Sequence, residues 1–232
     1  ACCHCVYQSA EHRLVTVLEK SSPKPVRPAI IMDLDETILD NSAFQTFLYQ
    51  NNLEYTDALW ADYEENFPQD VTLIPGAKPF LLRAFALGVS VICISNRSEA
   101  ALKATETALQ RHGLNSPLLH LLLKPKGGSS DKAARREATA TKYNVLLYIG
   151  DNLRDFSDTF QAPKLPVNPT VEAYRQAHQQ RVALADEATC HWGIDWFVLP
   201  NPVYGEWDKL VGPNPVALMH PTSMKVKGPA PK

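Results

Sequence analysis

The 232-residue sequence lacks several features that would place it in a specialised class of protein. Positive and negative side chains nearly balance, with a formal net charge of −2, so we expect no non-specific nucleic-acid binding. Apolar runs such as Val89–Ile94 and Leu118–Leu123 are far too short to span a bilayer. No internal repeat is visible. With 45% hydrophobic and 21% charged residues, the chain is of an ordinary globular type, with enough length for a sizeable core.

The cysteines do not predict a disulfide framework, because their number is odd and three of the five fall within the first five residues. For the cluster Cys2-Cys3-His4-Cys5, three interpretations stay open. A zinc site is disfavoured, since no second ligand pair follows at a suitable spacing. The others are a flexible tail and a bacterial lipoprotein cleavage site with lipid on Cys2. Because the chain begins at Ala1 rather than methionine, we interpret it as a processed or trimmed form with no signal peptide left to read.

Two carboxylates follow the first apolar stretch of the chain. The run Ile30–Met32 leads directly into Asp33-Leu34-Asp35, which is typical of a buried strand delivering both acids to its carboxyl end. Two acids held so close repel each other unless a cation lies between them. A carboxylate pair with a hard cation is suited to phosphoryl chemistry.

Strands and helices alternate along the rest of the chain, which predicts an α/β fold: a Rossmann-like parallel sheet with helices on both faces. The aromatic-rich, helix-like segment between the first two core strands predicts a small, mainly helical cap at about residues 41–72. We expect an N-terminal tail and helix at residues 1–25, with an amphipathic helix over Val6–Lys20, the main domain at 26–210, and a C-terminal tail at 211–232. The predicted core strands are Ile30–Met32, Val89–Ile94, Leu118–Leu123, Val145–Ile149 and Trp196–Leu199.

Polar groups that suit phosphate chemistry follow the later strands. Ser95 ends the second core strand, and its hydroxyl and nearby backbone N–H groups could hold phosphate oxygens. Lys132 offers a positive charge for the transferring group. Asp151 ends the fourth core strand and supplies a further carboxylate for Mg²⁺, while Asp155 could orient the ligands of that metal.

The first acid pair divides into two roles. Asp33 is positioned to attack phosphorus and form an aspartyl-phosphate, and Asp35 to protonate the leaving oxygen and then activate water. Each signal alone has an ordinary explanation: Lys132 could be a solvated helix lysine, and Lys124 or Lys126 could take its role. The hypothesis depends on four weak signals occurring in one order, three of them at the ends of apolar strands.

The order and spelling of these motifs resemble the haloacid dehalogenase superfamily of aspartate-nucleophile phosphohydrolases, and within it the class C acid phosphatases. The resemblance covers roughly residues 6–210. Its motifs are Asp33-Leu34-Asp35-Glu36-Thr37, Asn41-Ser42, Ser95-Asn96-Arg97, Asp131-Lys132-Ala133-Ala134-Arg135, Gly150-Asp151-Asn152-Leu153-Arg154-Asp155-Phe156 and Leu199-Pro200-Asn201-Pro202-Val203-Tyr204-Gly205-Glu206-Trp207.

That resemblance implies a Mg²⁺ ion held by Asp33, by Asp151 and by the backbone carbonyl of Asp35. It also implies an aromatic grip on a nucleobase by Trp60 and Tyr204.

Three further residues are predicted to contact the substrate. Phe44 takes part in the grip, although relatives often carry tyrosine there. Asn96 and Arg97 follow Ser95 in the second motif.

The predicted function is therefore a Mg²⁺-dependent acid phosphatase that hydrolyses phosphomonoesters, with 5′-nucleotides including nicotinamide mononucleotide as expected substrates. Two alternatives stay open: a ligand-binding surface lipoprotein on an inactive phosphatase fold, and a phosphotransferase of the same fold. The resemblance favours a lipid on Cys2, and with it a bacterial outer-membrane lipoprotein or a periplasmic or secreted enzyme. The oligomeric state stays open, with a dimer as one option.

Overall fold

The computed structural model describes residues 1–212 and 215–218. Its main sheet has five parallel strands in the order β5-β4-β1-β6-β7, and a separate two-stranded antiparallel ladder pairs β2 with β3. The strands are β1 (Pro28–Met32), β2 (Leu39–Asp40), β3 (Thr72–Leu73), β4 (Ser90–Ser98), β5 (Leu119–Lys124), β6 (Asn144–Gly150) and β7 (Trp196–Val198). The predicted α/β class is confirmed.

Seven α-helices accompany these strands in the described part of the chain. They are α1 (Cys2–Lys20), α2 (Ser42–Gln50), α3 (Asp57–Asn66), α4 (Ala77–Ala86), α5 (Leu102–Arg111), α6 (Ala133–Ala140) and α7 (Val171–Glu187). None of the helices within the described residues combines the length and the apolar character that crossing a membrane requires.

The central strand β1 is buried on both faces because alternate side chains enter two different apolar clusters. Ile30 and Met32 belong to the larger cluster, which includes residues of α1 and α4. Ala29 and Ile31 belong to a smaller cluster on the opposite face. An unbroken apolar run is therefore required here, and it ends where Asp33 emerges at the carboxyl edge of the sheet.

The first helix is part of the folded core rather than the end of a loose tail. It begins at Cys2, four residues before the predicted start at Val6, and its cysteines lie in the first turns. Tyr7, Ala10 and Leu14 are buried at the three- and four-residue spacing of one helical face. The predicted tail at the beginning of the chain is therefore helical.

The cap is inserted between β1 and α4. Its helices α2 and α3 lie between β2 and β3 in the chain, and these two strands pair with each other, Leu39 with Leu73 and Asp40 with Thr72. The helices were expected from the sequence, but the two short strands were not. Of the predicted tail at 211–232, residues 213–214 and 219–232 lie outside the described residues, and Pro215–Leu218 form a 3₁₀ turn.

Candidate active site

A cleft of about 760 Å³ opens between the carboxyl edge of the sheet and the cap. This is the edge at which parallel α/β sheets carry their sites. The cleft brings together most of the predicted site residues, namely Asp33, Asp35, Trp60, Asn96, Arg97, Lys132, Asp151, Asp155 and Tyr204.

Lys132 joins two acids at the base of the cleft. Its ammonium nitrogen lies 2.7 Å from Oδ1 of Asp33 and 2.7 Å from Oδ1 of Asp155, and its side chain is 7% exposed. Burial alone would lower the pKa of Lys132, but the two carboxylates outweigh burial and raise it, so the side chain stays charged. Lys132 precedes α6 in the chain and points inward, which excludes the solvated helix position.

Three carboxylates crowd around this lysine. Ligand oxygens of Asp33, Asp151 and Asp155 all lie within 4.8 Å of one another. Burial raises the pKa of the Asp33 carboxyl, an effect that Lys132 opposes and the other acids reinforce. Burial, together with Asp155, also raises the pKa of Asp151 to about 7. One lysine therefore does not neutralise the group, and a set of oxygen donors with surplus negative charge suits a hard divalent cation.

Asp151 is held in place by two donors from distant parts of the chain. Thr37 donates its hydroxyl to Oδ1 at 3.0 Å, and Asn201 donates its side-chain amide to Oδ2 at 2.9 Å. The backbone carbonyl of Thr37 in turn accepts a 2.6 Å hydrogen bond from the buried Tyr7 hydroxyl of α1. The first helix thus helps to position a carboxylate of the site.

Asp155 is fixed by the tight turn after β6. One carboxylate oxygen accepts from Lys132, and the other accepts from the backbone N–H of Asn152 at 3.0 Å. This approach requires glycine at position 150, because a Cβ there would lie 2.3 Å from Oδ2 of Asp155. Since both oxygens of Asp155 already have donors, this residue suits the supporting role expected for it.

Asp35 is oriented by three donors. Its Oδ1 accepts from Nε of Arg97 at 2.8 Å and from the amide of Asn41 at 2.9 Å, and its Oδ2 accepts from the Ser95 hydroxyl at 3.3 Å. Arg97 is 1% exposed and also donates to Asn41 and Thr105. Arg97 therefore orients Asp35, and since it also lines the cleft, its contact with the substrate stays a prediction.

Ser95 and Asn96 form the end of the second motif. The Ser95 hydroxyl is fully buried and accepts from the backbone N–H of Arg97 at 3.0 Å. The Asn96 side chain lines the cleft and bonds to the backbone carbonyl of Ser130 and to Arg135. Arg135 also donates to the Ser95 carbonyl at 2.5 Å. These bonds join the end of β4 to the loop before α6.

Aromatic side chains form the upper part of the cleft. Trp60 lines it from α3, and Tyr204 lines it from the loop after β7. Phe44 is 2% exposed and packs behind Trp60 at 5.2 Å between ring centroids and beside Tyr63 at 5.0 Å. The structure thus places Phe44 as support for Trp60 rather than on the surface of the cleft, where it was expected to contact the substrate.

Glu64 is a buried acid of the cap that sequence reasoning missed. It is 3% exposed, and its Oε1 accepts from the backbone N–H of Ser98 at 3.1 Å, which ties α3 to the end of β4. Burial raises the pKa of Glu64 to about 7, although this hydrogen bond and Arg97 oppose the shift. Its position four residues after Trp60, on the same face of α3, was the available signal.

Asn201 is the other residue that was missed. Besides holding Asp151, its side-chain oxygen accepts from the backbone N–H groups of Val203 and Tyr204 at 3.0 and 3.3 Å. A single side chain therefore links the position of an aromatic wall residue to that of a predicted metal ligand. Asparagine before a proline is common in turns, so its sequence context gave no reason to separate it from an ordinary turn residue.

Comparison with known proteins agrees with this geometry. Residues 4–207 match the family model for acid phosphatases of subfamily IIIB of the HAD superfamily. A class C acid phosphatase from Bacillus anthracis superposes with a TM-score of 0.72 at 29% sequence identity, covering 90% of this chain and 80% of the other. A tungstate-bound structure of the class C acid phosphatase from that organism gives a TM-score of 0.74 at 27% identity, with 95% and 84% covered.

Proposed function

Because the chain belongs to the subfamily IIIB acid phosphatases of the HAD superfamily and is a phosphomonoesterase, we propose that it hydrolyses 5′-nucleotides through a phosphoryl group carried on Asp33. One observation carries the proposal: Lys132 bridges Asp33 and Asp155 beside Asp151, at the base of a cleft that Trp60 lines.

The first step uses the two acids that follow β1. A carboxylate oxygen of Asp33 attacks phosphorus, a phosphorus–oxygen bond forms, and the ester bond to the leaving oxygen breaks. Asp35 gives its proton to that oxygen. Of the three hydrogen bonds that Asp35 accepts, the 3.3 Å bond from Ser95 is the longest and therefore the one most readily exchanged for the leaving group.

The second step reverses the proton transfer. Asp35, now ionised, takes a proton from water, the water oxygen attacks phosphorus, and the bond to Asp33 breaks to release inorganic phosphate. Lys132 keeps its positive charge throughout and offsets charge that develops on the transferring group. Arg97 holds Asp35 in the same place for both proton transfers.

The residues present fit a divalent cation, and we propose Mg²⁺. Asp33 and Asp151 would hold it, with the backbone carbonyl of Asp35 as a third protein ligand and Asp155 in support. Oxygen donors with surplus negative charge are the set that Mg²⁺ prefers, and the ion would polarise a phosphate oxygen and reduce repulsion between the phosphate and the acids.

The proposed preference for nucleotides rests on the aromatic part of the cleft. Trp60 is fixed from behind by Phe44 and Tyr63, so its ring is already ordered before a ligand arrives. Tyr204 lines the same cleft from a different loop. Aromatic rings stack on any nucleobase, which suits a broad range of 5′-nucleotides, including nicotinamide mononucleotide.

Replacing Trp60 or Tyr204 by alanine should lower kcat/KM for 5′-nucleotides about tenfold or more, mainly through KM, because stacking of a base contributes about 1–3 kcal/mol. The loss with p-nitrophenyl phosphate should be much smaller. Steady-state kinetics on both substrates measure the ratio.

Tyr49→Ala is the matched control, because Tyr49 is an aromatic residue of the cap that is 89% exposed and lies outside the cleft. Its nucleotide kinetics should equal those of the wild type. If Trp60→Ala and Tyr204→Ala lost equal activity on the two substrates, the rings would serve packing, and the nucleotide preference would be rejected.

The two alternative functions have their own tests. Every predicted catalytic side chain is present and lies in or beside one cleft, which argues against a ligand-binding protein on an inactive fold. Phosphate release from a nucleotide decides that question. A phosphotransferase would pass the phosphoryl group to an added alcohol in preference to water, which product analysis detects.

We also propose that the protein is attached to the bacterial cell envelope through a lipid on Cys2. The Cys2 side chain is exposed in the first turn of α1, so a modification there would not disturb the core. The mass of the N-terminal peptide from protein extracted from membranes tests the attachment.

A further inference from the structure

Arg154 has a side chain that the chemistry described above does not use. It follows Asp151 by three residues in the turn after β6 and lines the cleft. The position of its backbone is well defined, because its N–H donates to the Asn152 side chain at 3.1 Å and its carbonyl accepts from Arg136 at 3.0 Å. The side chain is 17% exposed, so most of it is withdrawn from water.

The guanidinium of Arg154 makes no hydrogen bond to any residue that the structure describes. Nε is buried without a partner. One terminal nitrogen lies 3.6 Å from Glu206 and the other 3.9 Å from Asp158, both beyond hydrogen-bonding distance. Leaving the donors of a mostly buried cation unmatched is costly, so a ligand that supplies acceptors there gains more than it would at a solvated arginine.

The carboxylates around Arg154 already have other hydrogen-bond donors. Glu206 accepts from Lys209 at 2.6 Å and from the backbone N–H of Ala162 at 2.8 Å, so its negative charge is already matched. Asp158 is paired with Arg136. Asp131, a third acid that Arg154 influences, is exposed and accepts from the backbone N–H of Ala133 at 2.7 Å. Among the described residues no carboxylate therefore accepts a hydrogen bond from Arg154.

Arg154 does not belong to the charged group around Lys132. The carboxylates within 4 Å of its guanidinium are Glu206 and Asp158, and neither is among the acids that meet at Lys132. Glu206 is two residues beyond Tyr204, and both line the cleft together with Arg154, so the guanidinium lies on the side of the proposed aromatic grip.

We infer that Arg154 binds a second anionic group on the substrate, either a carboxylate or a second phosphate. The planar fork of a guanidinium matches both groups with paired hydrogen bonds. This inference rests on the proposed function for its substrate class: nucleotides that carry an acidic group besides the scissile phosphate. It assigns to this chain a preference among nucleotides that base stacking alone cannot provide.

The test measures binding without turnover, by calorimetric titration of the Asp33→Asn protein with Mg²⁺ present. Two matched pairs of ligands each differ by one anionic group. Nicotinic acid mononucleotide carries a carboxylate on the base where nicotinamide mononucleotide carries a neutral amide. Adenosine 3′,5′-bisphosphate carries one more phosphate on the ribose than adenosine 5′-monophosphate. In at least one pair the more acidic member should bind with an affinity at least about tenfold higher than that of the other member. The pair that shows the preference identifies the group.

Arg154→Met in the same background should bring that ratio to about one, while Arg154→Lys should keep part of it. Lys126→Met is the control, because it removes one exposed positive charge that lines the cleft without altering Arg154. That control should keep the ratio.

Three results would overturn the inference: a ratio near one in both pairs for the parent protein, a ratio unchanged in Arg154→Met, or an equal loss in Lys126→Met. Failure to bind any of the four ligands would overturn it too. If Arg154→Met does not fold, the parent ratios and Arg154→Lys decide. Failure of the proposed function is seen separately, as absence of phosphate release by the wild-type enzyme from any of these nucleotides.

Discussion

Asp33→Asn is expected to reduce kcat on 5′-nucleotides by at least about a thousandfold, because a neutral amide cannot serve as the attacking group. The fold should persist. Lys132 still has Asp155 as a partner at 2.7 Å, and the repulsion among the crowded acids falls because one negative charge is removed. The unfolding temperature of the variant should therefore be no lower than that of the wild type. Phosphate release and thermal unfolding, measured on the same preparation, separate the two effects.

Asp208→Asn is the matched control for that experiment. Asp208 is an exposed acid that lines the same cleft without belonging to the group around Lys132. Asp208→Asn changes the charge of the cleft by the same amount as Asp33→Asn and should leave kcat close to the wild-type value. Turnover by Asp33→Asn comparable to that of the Asp208 variant would exclude Asp33 as the nucleophile.

Exhaustive treatment with EDTA is expected to lower activity by at least about a hundredfold, and Mg²⁺ should restore it. The reason is electrostatic. Asp33, Asp151 and Asp155 already repel one another within 4.8 Å, and a phosphate ester adds negative charge to the same place. Activity is measured after chelation, after addition of Mg²⁺, and after addition of sodium chloride at matched ionic strength, which should restore nothing. Full activity after chelation would remove the cation from the mechanism.

Titrating the chelated enzyme with Mg²⁺ tests how Asp151 is held. Thr37→Val and Asn201→Ala each remove one of its hydrogen bonds, at 3.0 and 2.9 Å. Loss of such supporting contacts to a ligand weakens metal affinity by about 10- to 100-fold. Each variant should therefore need a correspondingly higher Mg²⁺ concentration for half-maximal activity while approaching wild-type kcat at saturation.

The parts of the fold that could be predicted from sequence are those in which local pattern and burial agree. The apolar run before Asp33 predicts a buried strand because no polar residue interrupts it, and β1 is that strand, at the centre of the sheet. The ladder of β2 and β3 was missed because two strands of two residues each carry no periodicity. Helix α1 begins earlier than predicted because Cys3 also packs partly against the core, and this residue precedes the apolar positions on which the prediction rests.

The candidate site divides in the same way. Asp33, Asp35 and Asp151 could be identified because carboxyl ends of parallel strands converge, whatever the distance along the chain. The inward direction of the Lys132 side chain could not be predicted, because a lysine at the start of a helix has the same sequence context whether it points inward or into solvent. The roles of Arg97, Asn201 and Arg154 depend on which acceptors the folded chain brings to each donor, and residues far apart in sequence determine that.

The central claim is that the phosphoryl group passes through Asp33. The measurement that tests it most directly is acid quenching of the enzyme during turnover of a 5′-nucleotide with Mg²⁺ present, followed by mass spectrometry of the peptide that contains Asp33. We expect a phosphoryl group on the Asp33 side chain that appears during turnover and is absent from Asp33→Asn. Rapid phosphate release by the wild type with no phosphoryl group on Asp33, or with one on a different residue, would contradict it.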